Sequence, residues 1–332
     1  LMKSPKETNR QPSIDVFLDE RTLRGTMADD VRIGLTASSK YLLPKYFYDD
    51  TGSELFERIT EQPEYYVTRV ERELLARIST ELMNSLRPQE VVELGSGSSN
   101  KTRLLLNTDG AARYVRRYLP FDVSEPALRT SSKELLREYP FLEIHGIIGD
   151  FEQHIGQIDL PIGRRLVLFL GSTIGNLEES KRYEFFSMVR TVLGPGGRFL
   201  IGVDLVKDSR VLNAAYNDAD GITACFNRNI LHVVNTALLG DFVPTNFKHL
   251  AFYDTEARRV EMHLMPTELQ KVSLRTLDLE IAIAAGERIW TESSYKFTEV
   301  TIGSELAAAG LRLERWYTDE RGLFGLALAT GA

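Results

Sequence analysis

Apolar and polar positions follow three different rhythms along the chain. From about Ile14 to Arg69 the pattern is helical and charged, broken by an aromatic segment, Pro44-Lys-Tyr-Phe-Tyr-Asp-Asp50. Thr51-Gly52 reads as a turn, and Leu55, Phe56 and Ile59 fall within a helix that Ser53 is placed to cap. Pro63-Glu-Tyr-Tyr66 is a second turn signal, and a long helix follows it through Glu71 to about Leu86. From Glu90 to about Val206 short apolar runs alternate with charged helical stretches. The runs are Val91–Leu94, Tyr118–Phe121, Leu142–His145, Arg165–Leu170 and Arg198–Gly202, and the helices lie near Thr102–Asn107, Pro126–Tyr139 and Lys181–Leu193. That alternation predicts a parallel sheet with helices on both faces, because strands buried on both sides read as near-continuous apolar runs.

Beyond Asp208 the rhythm fades into a mixed segment to about Trp290. It holds a helical stretch, Ile230–Leu239, and a pair of alternating strands, Leu250–Asp254 with Arg259–Met265. The end of the chain predicts an antiparallel hairpin, Leu311–Trp316 with Leu323–Ala329, turning at Thr318-Asp-Glu-Arg-Gly322. No internal repeat is found.

Composition narrows the function classes. A net charge of −7 argues against a general phosphate-backbone binder, which needs a basic face. One cysteine, Cys225, leaves no internal disulfide and no multi-thiolate zinc site. The histidines, His145, His154, His232, His249 and His263, lack ligand spacing, so no metal is expected. The densest apolar run, Leu166–Leu170, is far short of the ~20 residues that span a bilayer. The expectation is a cytoplasmic monomer with no nucleic-acid or membrane partner, preceded by a loose polar leader over residues 1–13.

The strongest local signal is Val91-Val-Glu-Leu-Gly95-Ser-Gly97-Ser-Ser-Asn-Lys101. A buried strand ends in a Gly-x-Gly turn that opens a helix, where backbone N–H groups face a ligand. Asn100 stands at the third glycine position of a dinucleotide loop, and no Gly-Lys-Ser/Thr closes a phosphate loop. Glu93-Leu-Gly-Ser-Gly97 instead matches the acidic Gly-x-Gly loop of S-adenosylmethionine-dependent methyltransferases, although such a turn occurs in any doubly wound fold. Asp122 follows the next strand, where a carboxylate accepts from ribose hydroxyls. Gly149-Asp150-Phe151 follows another, with an acid for an adenine amino group and a ring to cover the base. Each acid alone is more often a solvated loop residue or helix cap; three in register converge on one crevice. Phe169-Leu-Gly-Ser-Thr-Ile-Gly-Asn176 follows the fourth strand, where Asn176 either holds a substrate or takes a left-handed turn conformation.

Together these segments resemble the ergothioneine-pathway L-histidine Nα-methyltransferases. The motifs that carry the resemblance are Pro44–Asp49, Pro63–Tyr66, Val92–Gly97, Pro120–Val123, Gly149–Phe151, Val167–Asn176, Asp204–Asp208, Ala224–Asn229, Glu261-Met262, Glu292–Ser294 and Lys296-Phe297. They span the chain from about Val31 to its end. The resemblance implies a Rossmann-like class I methyltransferase sheet (70–206 and 297–332) with an inserted α+β substrate-binding domain (14–69 and 207–296). It implies S-adenosylmethionine as cofactor, contacted by Gly95, Lys101, Asp122, Asp150 and Phe151. It places Tyr48 near the reacting centre as the catalytic residue. Asn176 and Tyr216 would hold the carboxylate of L-histidine, Glu292 and Ser294 its imidazole, and Tyr65 and Met262 would line the pocket. The reaction implied is trimethylation of the α-amino group to hercynine, the first step of ergothioneine biosynthesis.

The chemistry is consistent with these residues. The nucleophile is the neutral amine, and a sulfonium beside it disfavours the ammonium, so proton loss to water suffices without a strong base. Aromatic faces attract sulfonium and quaternary ammonium groups. Tyr48 and Tyr65 are assigned that function, with Phe56 and Tyr66 as core. Glu292 can accept from an imidazole N–H while Ser294, on the same side of a strand, donates to the other nitrogen. The competing readings are an Nα-methyltransferase for another amino acid such as tryptophan, a nucleotide-dependent oxidoreductase, and a non-catalytic S-adenosylmethionine-binding domain. A larger ring would require Glu292 and Met262 to be replaced, and a sensor would not need the substrate residues.

Overall fold

The computed structural model describes residues 11–18 and 20–332. Most of the expected leader, residues 1–10, lies outside the described residues. The chain begins with strand β1 (Ser13–Val16), then crosses helices Glu20–Thr36, Asp50–Thr60 and Val67–Leu86 before the apolar strands start. Those are β2 (Glu90–Leu94), β3 (Arg117–Asp122), β4 (Glu143–Ile148), β5 (Arg165–Phe169) and β6 (Arg198–Asp204). A smaller unit follows: β7 (Phe247–Asp254), β8 (Arg259–Pro266), β9 (Gln270–Leu274), β10 (Leu279–Ile283) and β11 (Ile289–Tyr295). The chain then closes with β12 (Leu311–Thr318) and β13 (Phe324–Gly331).

Eight strands form the main sheet in the order β1-β4-β3-β2-β5-β6-β13-β12. The first six are parallel, and β13 runs antiparallel to both β6 and β12. Every residue of β2 and β5 is buried, which is why both are mostly apolar, with Glu90, Glu93 and Arg165 as buried exceptions. Strand order reverses at β2, so the crevice beyond the carboxyl ends of β2 and β5 is the natural ligand position of this Rossmann-like α/β sheet. The expected terminal hairpin is present as β12 and β13.

Two details differ from the sequence expectation. Ser13 and Ile14 are not leader and substrate unit: they form β1, which adds to the edge of the main sheet beside β4. Ile14 and Val16 alternate with Ser13 and Asp15, but the run is four residues long and three of the four are exposed, so it carried little core signal. Ser53 is not the cap of its helix. Asp49 is, accepting from the Gly52 N–H at 2.7 Å.

The smaller unit contains the antiparallel sheet β11-β8-β7 and the ribbon β10-β9, packed on the helix Ile222–Leu238. Its core is continuous with one face of the main sheet, Val91, Leu166, Leu168 and Leu200 joining Ile230, Met262 and Leu264. Backbone bonds also cross between the units, Phe297 N–H to Asp204 at 2.9 Å and Val206 N–H to Phe297 at 2.9 Å. No helix among the described residues is long and apolar enough to cross a membrane.

Candidate active site

Register puts the glycine loop and the acids side by side. Leu94 pairs with Phe121 and with Phe169, and Asp122 pairs with Ile148. Gly95, Asp122, Gly149 and Leu170 therefore leave the sheet along one edge. Gly95 and Gly97 have φ of 70° and 48°, the left-handed region that glycine favours. A Cβ at either would meet no atom within 4 Å, so the loop surface is open. Ser96 Oγ is buried beside it with no hydrogen-bond partner among the described residues. An open cradle with an unanswered polar atom fits a polar ligand laid across the loop.

Asp122 ties the loop down. Its Oδ2 accepts from the Gly97 N–H at 2.7 Å and its Oδ1 from the Ser124 N–H at 2.9 Å. Each oxygen keeps a second lone pair for a ribose hydroxyl. Burial raises its pKa, and the backbone bonds oppose that rise. Asp150 caps the short helix Phe151–His154 through the Glu152 N–H at 2.9 Å. Phe151 packs edge-on against Phe169 and Phe185, at 5.2 and 5.5 Å between centroids. The Lys101 ammonium bonds Glu71 at 2.5 Å, and Glu71, fully buried, accepts from the Gly171 N–H at 2.7 Å. Glu93, the acid of the loop motif, points inward, where it accepts from Tyr118 at 2.5 Å and from Thr102. Burial lifts its pKa to about 7 against those two bonds.

The opposite wall comes from β8 and β11. Glu292 lies directly across from Met262. A register shift between Trp290 and Glu292 decides which face Glu292 and Ser294 share. Burial raises the Glu292 carboxyl to about 7, and the field of Lys296 opposes the rise. Ser294 Oγ accepts from the Tyr216 hydroxyl at 2.7 Å and from Lys296 Nζ at 2.7 Å. Tyr216 ends the helix Ser209–Ala215, and its carbonyl accepts from His249 Nε2 at 2.9 Å. Asn227 Nδ2 donates to His249 Nδ1 at 2.9 Å, which fixes that tautomer. Asn176 ends the 3-10 turn Thr173–Asn176, beside β11: a Cβ on Gly175 would stand 2.8 Å from the Tyr295 carbonyl oxygen. The left-handed positions of this turn are Gly171 and Ser172, not Asn176.

Tyr48 sits between the two walls. The fields of Glu292, Tyr216 and Asp122 all reach its hydroxyl. Its ring meets Phe56 and Phe226 edge-on, each at 5.7 Å, and Tyr65 meets Phe56 at 6.4 Å. Burial and these neighbours push both phenols far above their ordinary pKa. Both stay protonated at neutral pH, so neither is a base.

Residues 27–331 match the sequence model of a family described as histidine-specific methyltransferase, SAM-dependent. The chain belongs to this family. The histidine N-alpha-methyltransferase of Mycolicibacterium smegmatis is 49% identical over 300 residues, covering 90% of this chain and 93% of that protein. That of Mycobacterium tuberculosis is 47% identical over 300 residues, again 90% of this chain and 93% of its own. Ergothioneine biosynthesis protein 1 of Neurospora crassa is 31% identical over 291 residues, 84% of this chain but 32% of its own length.

In this histidine-specific methyltransferase the site contains polar groups to which motif reading assigned no role. Asp204, at the end of β6, is fully buried and pairs with Lys296 at 2.9 Å and Lys207 at 2.5 Å. Tyr66, read as core, is buried but donates to both Asp204 oxygens, at 2.8 and 2.9 Å. Phe226 occupies the centre of the aromatic cluster, within 6.0 Å of Phe47, Tyr48 and Phe56. Asp204, Lys207, Phe226 and Lys296 all fall in motif segments quoted above, which was the only signal for them. Glu71 had none.

Proposed function

We propose that this chain transfers three methyl groups from S-adenosylmethionine to the α-amino nitrogen of L-histidine. The product is Nα,Nα,Nα-trimethylhistidine (hercynine), and the step opens ergothioneine synthesis. The observation that carries this reading is the Glu292–Ser294 pair, with Glu292 opposite Met262, on a strand whose hydroxyl network ends at Tyr216. A carboxylate and a hydroxyl on one strand face are what a neutral imidazole, donor at one nitrogen and acceptor at the other, requires. The names of the two mycobacterial relatives support the same substrate.

The cofactor, when bound, supplies an electrophilic methyl on a sulfonium. Gly95, Lys101, Asp122, Asp150 and Phe151 would hold it; the open loop and the unpaired Ser96 hydroxyl suit that assignment. Glu292 and Ser294 orient the imidazole, Asn176 and Tyr216 hold the carboxylate, and Met262 and Tyr65 shape the pocket. Tyr48, always protonated, accepts from the amine and aims its lone pair. Each cycle sheds one proton from the nitrogen, and that proton passes to water. Rate then comes mainly from positioning. The smaller unit, 14–69 with 207–296, is proposed as the substrate domain, less the residues of β1. The cytoplasm is the proposed compartment, in keeping with the single cysteine, and the proposed working form is a monomer.

The test is calorimetric titration of L-histidine, Nα,Nα-dimethylhistidine and L-tryptophan with S-adenosylhomocysteine present, followed by mass spectrometry with S-adenosylmethionine. Selective histidine binding and a product heavier by three methyl groups support the proposal. Cofactor binding with tryptophan preferred, or with no amino acid bound, overturns the substrate.

A further inference from the structure

A site that holds a carboxylate needs a counter-charge, and Asn176, Tyr216 and Ser294 carry none. Among the described residues no arginine hydrogen-bonds to any of these three side chains. Lys296 bonds to two of them. Its side chain is completely buried, and its ammonium has three N–H groups to place. One goes to Asp204 Oδ2 at 2.9 Å, one to Ser294 Oγ at 2.7 Å and one to the Tyr216 hydroxyl at 3.1 Å.

Asp204 is shared. Lys207 Nζ reaches it at 2.5 Å from the loop after β6, and the Tyr66 hydroxyl donates to it as well. Two buried ammonium groups thus answer to one carboxylate, and the cluster has one positive charge in excess. A buried charge without a partner is costly. Two other carboxylates have fields that reach the lysines. Glu292, on β11 and four residues before Lys296, makes no hydrogen bond to it. Asp319, in the β12–β13 turn, is committed to the N–H groups of Arg321, Leu323 and Phe324.

The hydroxyls point the excess charge outward. Tyr216 and Ser294 contribute two protons, and one lies in the bond between them. Tyr216 spends its proton on Ser294 and Lys296 donates to both oxygens, so the proton left to face the substrate is that of Ser294. A hydroxyl that accepts from an ammonium is polarised and becomes a stronger donor.

We propose that Lys296 is a positioning residue that supplies the counter-charge for the substrate α-carboxylate across the Tyr216–Ser294 hydroxyl pair, a charge in surplus because Lys207 shares Asp204. The inference rests on the histidine reading above. It accounts for how a site whose Asn176, Tyr216 and Ser294 bond to no arginine among the described residues holds an anion.

The experiment titrates L-histidine and L-histidinamide, whose carboxylate is replaced by a neutral amide, into wild type, Lys296→Met and Lys207→Met with S-adenosylhomocysteine saturating. Lys296→Met is expected to weaken histidine roughly tenfold to a hundredfold, the loss of a charged hydrogen bond, and to change histidinamide far less. Lys207→Met leaves the contacts to Tyr216 and Ser294 in place but removes the surplus. It should weaken histidine alone by roughly threefold to tenfold, a screened Coulomb effect. Equal losses for both ligands, with S-adenosylhomocysteine affinity unchanged, would mean a merely structural lysine and overturn the proposal. If Lys296→Met does not fold, Lys207→Met decides: an unchanged histidine-to-histidinamide ratio overturns it. Wild-type protein that binds S-adenosylhomocysteine but neither ligand overturns the substrate reading first, and the inference with it.

Discussion

The Tyr216 hydroxyl donates to Ser294 Oγ at 2.7 Å, joining two residues 78 positions apart in the chain. One belongs to a helix end and the other to a strand, and the proposed roles give them different ends of the same substrate. Because the two hydroxyls share a proton, they should not act independently. Tyr216→Phe and Ser294→Ala should each lower kcat/KM for histidine by roughly tenfold, one hydrogen bond's worth. The double variant should lose less than the product of the two, with a coupling of about 0.5–3 kcal/mol. Strict additivity would show that each hydroxyl meets the substrate alone.

Glu292 makes two separable predictions. Glu292→Ala should lower kcat/KM for histidine by roughly tenfold to a hundredfold; an unchanged value removes its role as imidazole reader. The second concerns stability. Its folded pKa, about 7, lies above its ordinary value of 4.5 because burial disfavours the charged form. Between those values the folded state binds more protons than the unfolded one, so stability falls as pH rises through that window. Glu292→Gln should therefore raise Tm at pH 8 and leave it nearly unchanged at pH 4.5. An equal shift at both pH values would place the effect elsewhere.

Asp122 holds the glycine loop by the Gly97 N–H and is the proposed ribose acceptor. Asp122→Ala should weaken S-adenosylhomocysteine by about tenfold or more, the value of a hydrogen bond to a charged group. Calorimetry with wild-type affinity would exclude both roles.

Glu71 is buried at 0% exposure and answers the Lys101 ammonium and the Gly171 N–H together. Removing one partner of such a pair leaves the other charge uncompensated, a cost of about 3–5 kcal/mol. Glu71→Ala should show that loss in thermal or urea unfolding, along with weaker cofactor binding. A variant as stable as wild type would mean that water replaces the carboxylate.

Tyr48→Phe should lower kcat with little change in KM, and the pH at which activity rises should not move. The tyrosine is neutral throughout, so it sets no limb of the profile. A shifted limb in the variant would make Tyr48 a proton acceptor after all.

Much of this was readable because the signals are local. Gly95, Asp122 and Asp150 each follow an apolar run directly, and in a parallel sheet the carboxyl ends of neighbouring strands share one edge. The β1 strand was not readable, since its alternation of Ile14 and Val16 with polar residues covers only four positions and most of them are exposed. The capping role of Asp49 was hidden by Ser53, an equally good cap by composition, and backbone geometry chose between them.

The strand–helix alternation, the glycine loop and the motif order are legible in the letters alone, because burial period and turn chemistry are written in adjacent residues. The pairing of the charges came from the fold. Lys101 finds Glu71 across 30 residues, and Lys296 and Lys207 meet on Asp204 from either side of the smaller unit. In a string of letters a lysine reads as solvated. Whether it is buried, and against which carboxylate, depends on which distant segments the fold brings into contact.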